Sequence, residues 1–169
     1  MKIENIKLRK LESSDKETIA ELLNNKKILN NLRDSIPNPY SISDAIFFIN
    51  LTKENNPRQI LGIEYKEELC GVISLIIQTD IYSKSAEIGY WLGEKYWGKG
   101  IMTKAVKLIT KYGFENLNII RIFTGVFEFN LASIKVLEKN GYLKDGIFKK
   151  AIFKNGKIWD EHRYYKLKE

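Results

Sequence analysis

The chain is poor in the residues that staple a fold or carry metal chemistry. Among 169 residues there is one cysteine, Cys70, and one histidine, His162. A lone cysteine excludes an internal disulfide and fits a reducing compartment, and with a single histidine it leaves no Cys/His ligand set, so no metal is expected. Cys70 sits in an apolar, strand-like run and reads as a core thiol, because only His162 is available as a histidine base for a cysteine nucleophile. No apolar run approaches the ~20 residues of a membrane-spanning helix, which argues against a membrane partner. The opening residues Lys2, Glu4, Lys7 and Arg9 interleave with isoleucines, unlike a secretory leader, so a cytoplasmic location is expected. Blocks of like charge are missing too. The formal net charge of +7 is spread over every segment, which makes nucleic acid an unlikely partner and leaves an anionic cofactor or a lysine-rich background to account for it.

What is present suits one globular domain over residues 1–169: 44% hydrophobic against 29% charged residues is enough to build a core without staples. Alternation from Ile3 to Leu11 predicts a first strand. Ser13 or Ser14 then caps a helix through Ile19, Leu22 and Leu23. The two prolines of Ile36–Tyr40 mark a loop, Ser43 and Asp44 open a second helix, and Asn55, Asn56 and Pro57 end it. Extended runs follow over Gln59–Tyr65, Leu69–Thr79 and Ser83–Leu92, with Gly71 pointing to a bulge or a close backbone approach. A helix beginning near Gly98 buries Met102, Ala105, Val106, Ile109 and Gly113 and turns Lys104, Lys107 and Lys111 to solvent. Ile119–Phe127 is a further strand, Asn130 precedes a short helix, and Tyr142–Phe153 with Lys157–Leu167 forms a hairpin about Asn155-Gly156. The order predicts an α/β domain with a mixed sheet.

The stretch Glu87–Ala105, EIGYWLGEKYWGKGIMTKA, carries the chemistry. A strand that feeds a helix through Gly98 and Gly100 leaves unpaired N–H groups at a positive helix end, a place suited to phosphate, with the Lys99 ammonium beside it. The spacing matches neither a dinucleotide fingerprint, since position 103 is Thr, nor a nucleoside-triphosphate loop, since no Ser or Thr follows Lys99.

Three segments, Gly89–Ala105, FNLASIKVLEKNGY at Phe129–Tyr142 and PYSISDA at Pro39–Ala45, resemble the GNAT superfamily of acyl-CoA-dependent N-acetyltransferases, in the branch of the ribosomal-protein N-terminal acetyltransferases. The resemblance runs in order over nearly the whole chain. It implies a mostly antiparallel sheet of six or seven strands with helices on both faces, splayed into a V between two central parallel strands where acetyl-CoA, the co-substrate, lies. The family's pyrophosphate loop falls on Trp97, Gly98, Lys99, Gly100, Ile101, Met102 and Thr103, where Trp97 stands for a commoner Arg or Gln and Met102 for a small residue. Tyr90, Trp91 and Leu92 become the strand edge that pairs with the pantetheine arm, and Asn130 a second contact to it. The reaction implied is direct attack of a primary amine on the thioester. That amine is a protein N-terminus or a small molecule, and homodimerisation is left open.

Chemistry then asks for a base and an acid. Glu87, just ahead of the cofactor run, suits a water-mediated base that also meets the acceptor. Ser133, in N-x-x-S, matches the position of the acid that protonates the departing thiolate, with Tyr142 as runner-up. Tyr40 and its loop, Ile36–Tyr40, resemble the family's acceptor-side loop, which varies with substrate. A backbone N–H near Leu92 would polarise the thioester oxygen. The competing reading is a non-catalytic module with the same fold that binds RNA or ribosomes through its basic faces.

Overall fold

The computed structural model describes residues 1–54 and 59–169. Eight strands form one sheet: β1 (Lys2–Ile3), β2 (Ile6–Arg9), β3 (Ile60–Tyr65), β4 (Glu68–Ile77), β5 (Ser85–Leu92), β6 (Arg121–Phe127), β7 (Leu143–Lys154) and β8 (Lys157–Leu167). Their spatial order is β1-β2-β3-β4-β5-β6-β8-β7, antiparallel at every step except β5 against β6. The helices are α1 (Lys16–Leu23), α2 (Lys26–Leu29), α3 (Ile42–Lys53), α4 (Ile101–Asn116) and α5 (Leu131–Lys139).

The predicted first strand is in fact two. Glu4 takes a φ of 50°, a left-handed turn conformation, and folds the two-residue β1 back on β2, so the sheet has eight strands where six or seven were expected. Helix entries differ in detail as well. Ser13 and Ser14 lie in a short 3₁₀ turn and do not cap α1, whereas α3 is capped by Ser41, whose hydroxyl accepts from the Asp44 N–H while Asp44 accepts from the Ser41 N–H. The expected stop at Asn55, Asn56 and Pro57 lies outside the described residues. The short α2, held by the Asn25 side chain at its start, has no helical apolar period to announce it.

Both faces of the sheet are covered. On one face α4 buries Ile101, Met102, Ala105, Val106, Ile109 and Gly113 against Ile73, Leu75, Ile88 and Ile122. Gly113 permits the close approach, since a Cβ there would meet Leu75 Cδ1 at 2.6 Å. On the other face α1 and α3 pack Ile19, Leu23, Ala45 and Ile49 over Leu69 and Val72. Gly71 shows both expected features: the β3–β4 register slips beside it, and a Cβ on it would lie 2.3 Å from the Trp91 carbonyl oxygen of β5. Cys70 is fully buried and donates to the Ile63 carbonyl, and burial pushes its thiol up to about 12, which suits a core role.

Candidate active site

β5 and β6 are paired only at Ser85↔Arg121, Ala86↔Ile122 and Glu87↔Phe123, after which they part. β5 stays zipped to β4 as far as Leu92↔Gly71, and β6 stays zipped to β8 as far as Phe127↔Glu161, so each strand is held on its outer side while a gap opens between them. The direction of the free groups can be read from the ladder. The Ser85 carbonyl accepts from Gln78 and the Gly93 N–H donates to Cys70, both in the direction of β4. Odd-numbered residues of β5 therefore turn their amides to β4, and Tyr90 and Leu92 turn theirs into the gap. Of the three residues expected to form a pairing edge, Trp91 contributes a side chain packed on both core clusters, and the backbone edge belongs to Tyr90 and Leu92. The Leu92 carbonyl already accepts from Trp97 Nε1 at 2.7 Å, which ties the glycine turn to the end of the strand.

Gly98 and Gly100 have φ values of 73° and 71°, a region open to glycine at no steric cost, and a Cβ at either would meet no protein atom within 4 Å. Gly100 is also the N-cap of α4, so the N–H groups of the first helical turn face this open space with the positive end of a sixteen-residue helix behind them. Such a cradle fits a phosphate-bearing ligand. Met102 is buried in the core, where its bulk packs on the sheet side and away from the turn. Ile101 is buried with it, and the Thr103 carbonyl accepts from Asn140. Lys99 donates to the Lys95 carbonyl and lies over the Tyr96 ring, so its ammonium is folded back from the cradle. Lys104 pairs with Glu4 of the β1–β2 turn and anchors that hairpin to α4.

Across the gap stands α5. Asn130 caps it, accepting from the Ser133 N–H at 3.1 Å. The Ser133 hydroxyl lies 2.7 Å from the Tyr90 hydroxyl, and burial pushes the Tyr90 phenol up to about 12 although the Ser133 contact works against that shift. Tyr142, the runner-up acid, is buried beside α4 with its hydroxyl 2.7 Å from that of Thr110. Glu87 lies on the strand face opposite Ala86 and Ile88, and its Oε1 accepts from Arg33 Nη2 at 2.8 Å. Tyr40 is 6% exposed, belongs to the α1–α3 core, and exchanges backbone bonds with the Asn24 side chain, so it fixes the end of the Ile36–Tyr40 loop to α1. Sequence reading missed Arg33 and the Tyr90–Ser133 contact. Neither leaves a local signal, because the partners are 54 and 43 residues apart.

A parted parallel pair with a glycine cradle at a helix start beyond its open end suits a long ligand that carries phosphate at one end. The Acetyltransferase (GNAT) domain model matches residues 5–143, and the chain belongs to that family. It is 34% identical over 170 residues to the putative ribosomal N-acetyltransferase YdaF of Bacillus subtilis, covering 98% of this chain and 92% of that one. The probable N-acetyltransferase YjcK of the same organism is 42% identical over 97 residues, which are 57% of this chain and 53% of YjcK. The solved structure of the Microcin C7 self immunity acetyltransferase MccE, in complex with acetyl-CoA and AMP, superimposes with a TM-score of 0.82 at 32% identity, over 98% of this chain and 93% of MccE. Among the described residues no group of three or more His, Cys, Asp or Glu side chains could hold a metal ion, and no helix is long and apolar enough to cross a membrane.

Proposed function

We propose that this chain moves the acetyl group of acetyl-CoA onto a primary amine by direct attack within a ternary complex. The observation that carries the reading is the parting of β5 from β6 beyond Glu87, with the Tyr90 and Leu92 amides turned into the gap and the Gly98–Gly100 cradle at its end. The α4 N–H groups would take the pyrophosphate. The two β5 amides would hold the pantetheine arm as an added strand is held, and the Leu92 N–H would polarise the thioester oxygen.

The acceptor amine, protonated at neutral pH in its free form, must lose a proton before it attacks. Glu87 receives that proton through water. The amine nitrogen bonds to the thioester carbon and the carbon–sulfur bond breaks with its electron pair staying on sulfur; the Ser133 hydroxyl gives its proton to that thiolate, and the second proton, which the nitrogen sheds on becoming an amide, returns through water to the Ser133 oxygen. Tyr90, kept as a neutral phenol by its raised pKa, donates to Ser133 and steadies the oxygen left behind.

Two measurements on purified protein test this reading. Saturating acetyl-CoA raises the melting temperature, and a thiol reagent detects CoA release once an accepted amine is supplied; no thermal shift at all would sink the proposal. The non-catalytic reading would instead show salt-dependent RNA retention that survives Gly100→Glu.

A further inference from the structure

A cavity of about 440 Å³ opens between α2, the segment that follows it and the tip of the β7–β8 hairpin, and one of its lining residues, Arg33, reaches Glu87. Its size falls within the range of small-molecule sites, about 300–1,000 Å³. The hairpin tip is stitched over it: Lys154, 6% exposed, donates to the Leu32 carbonyl at 2.8 Å and pairs with Asp34, and Asn155 donates to Asn30 at 3.3 Å. The charged lining is Lys26, Arg33 and Lys154 against one carboxylate, Asp34, which Lys154 occupies. Arg33 also leaves the cavity wall to bond Glu87, so the cavity and the base expected from the sequence share one guanidinium.

The geometry points to an acceptor that carries an anionic group, carboxylate or phosphate, a few bonds from its amine; this inference rests on the transfer reading above. Such an acceptor exchanges partners with the Arg33–Glu87 pair. Its ammonium takes the place of Arg33 on Glu87, and its anion takes the guanidinium thus released, with Lys26 of the same cavity lining adding positive charge, so every charge stays compensated. A polyamine reaching Glu87 would leave Arg33 without its carboxylate and bring further positive charge against Lys26, an arrangement that like-charge repulsion disfavours.

Binding is measured by calorimetry on protein saturated with CoA, using phosphoethanolamine and the tripeptide Ala-Asp-Glu as anionic amines and ethanolamine and spermidine as controls. At least one anionic amine binds about tenfold more tightly than both controls. Lys26→Glu removes most of that advantage while leaving ethanolamine within about twofold, and Arg33→Gln removes it while ethanolamine, which no longer has to displace the guanidinium from Glu87, binds as well as before or more tightly. Lys26 begins α2, where a carboxylate suits the helix dipole, and Arg33 is 76% exposed, so both variants retain the fold. Which of the two amines binds separates phosphate from carboxylate recognition. Spermidine binding more tightly than both, neither anionic amine binding, or unchanged anion affinity in both variants overturns the inference. CoA release is followed in parallel with acetyl-CoA: anionic binding without turnover counts against the transfer reading and leaves the recognition result standing.

Discussion

Tyr90 on β5 and Ser133 on α5 place their hydroxyl oxygens 2.7 Å apart, a bond that spans the two elements flanking the open end of the strand gap. A serine hydroxyl is a weak acid, and a neighbour that donates to its oxygen as its proton leaves makes it a better one.

Ser133→Ala lowers kcat on the order of 10²-fold, the lower end for loss of a positioned acid, with little change in KM for acetyl-CoA. Tyr90→Phe acts through Ser133 and costs on the order of tenfold. Because the two act in series, the double variant equals Ser133→Ala alone. Steady-state kinetics of the three variants decide the matter, and strictly multiplicative losses would show the hydroxyls to be independent.

Glu87→Gln removes the proton acceptor and keeps the shape. It lowers kcat by about 10²-fold or more, while the acetyl-CoA dissociation constant stays within about twofold of wild type. Turnover equal to wild type across the pH range removes Glu87 from the mechanism.

Elements with a strong local period were legible before any coordinates: α4 with its buried stripe, the Asn155-Gly156 hairpin, the Gly71 approach and the glycine turn at the α4 start. The phosphate-suited turn followed from these, since a strand, a glycine turn and a helix start are local objects, whereas the Tyr90–Leu92 edge came only from the family resemblance. Side-chain pairs were not legible. Arg33 meets Glu87 and Lys104 meets Glu4 only because the sheet brings distant segments together, 54 and 100 residues apart. The β1–β2 break did leave a trace in the sequence: Ile3 and Ile6 stand three residues apart, so the period-2 alternation fails across Glu4-Asn5, where the positive φ of Glu4 turns the chain.

The glycine cradle separates folding from binding. A Cβ at Gly100 meets no protein atom, so Gly100→Ala costs only the left-handed conformation, about 1 kcal/mol of stability. The same Cβ projects into the space expected to hold the pyrophosphate, and acetyl-CoA affinity falls about tenfold or more. Paired melting curves with and without acetyl-CoA measure both, and an undiminished ligand-induced shift would place the phosphates elsewhere.

Asp15 links stability to pH. Its carboxylate is 6% exposed, and burial alone would raise its pKa, but the Arg9 guanidinium fork, with both bonds at 2.8 Å, and the Glu12 N–H hold it below the ordinary aspartate value. A depressed folded pKa contributes stability that is complete above the unfolded value near pH 3.9 and is lost as pH falls through the folded value. Asp15→Asn is therefore less stable by about 2 kcal/mol at pH 7 and loses less than the wild type on acidification. Urea midpoints between about pH 6 and 2 test this through the slope, and parallel curves for the two proteins would count against it.

Gly71→Ala joins the fold to the site. Its Cβ would stand 2.3 Å from the Trp91 carbonyl oxygen and 3.0 Å from the Leu92 Cα, and both neighbours are backbone atoms of β5 that cannot rotate away. β5 must then shift outwards at its last two residues, where the strand leaves β4 and presents the Leu92 amide to the gap. The stability cost is about 1–3 kcal/mol, as for other overpacked interiors. A destabilised but folded variant would still bind the pyrophosphate at α4, because Gly98 and Gly100 lie beyond the displaced segment. Catalysis suffers more, since an oxyanion donor must stand within hydrogen-bond distance of the reacting oxygen. The variant therefore shows a fall in kcat well beyond its fall in acetyl-CoA affinity, and equal losses in both would mean that the Leu92 edge holds the cofactor without taking part in the chemistry.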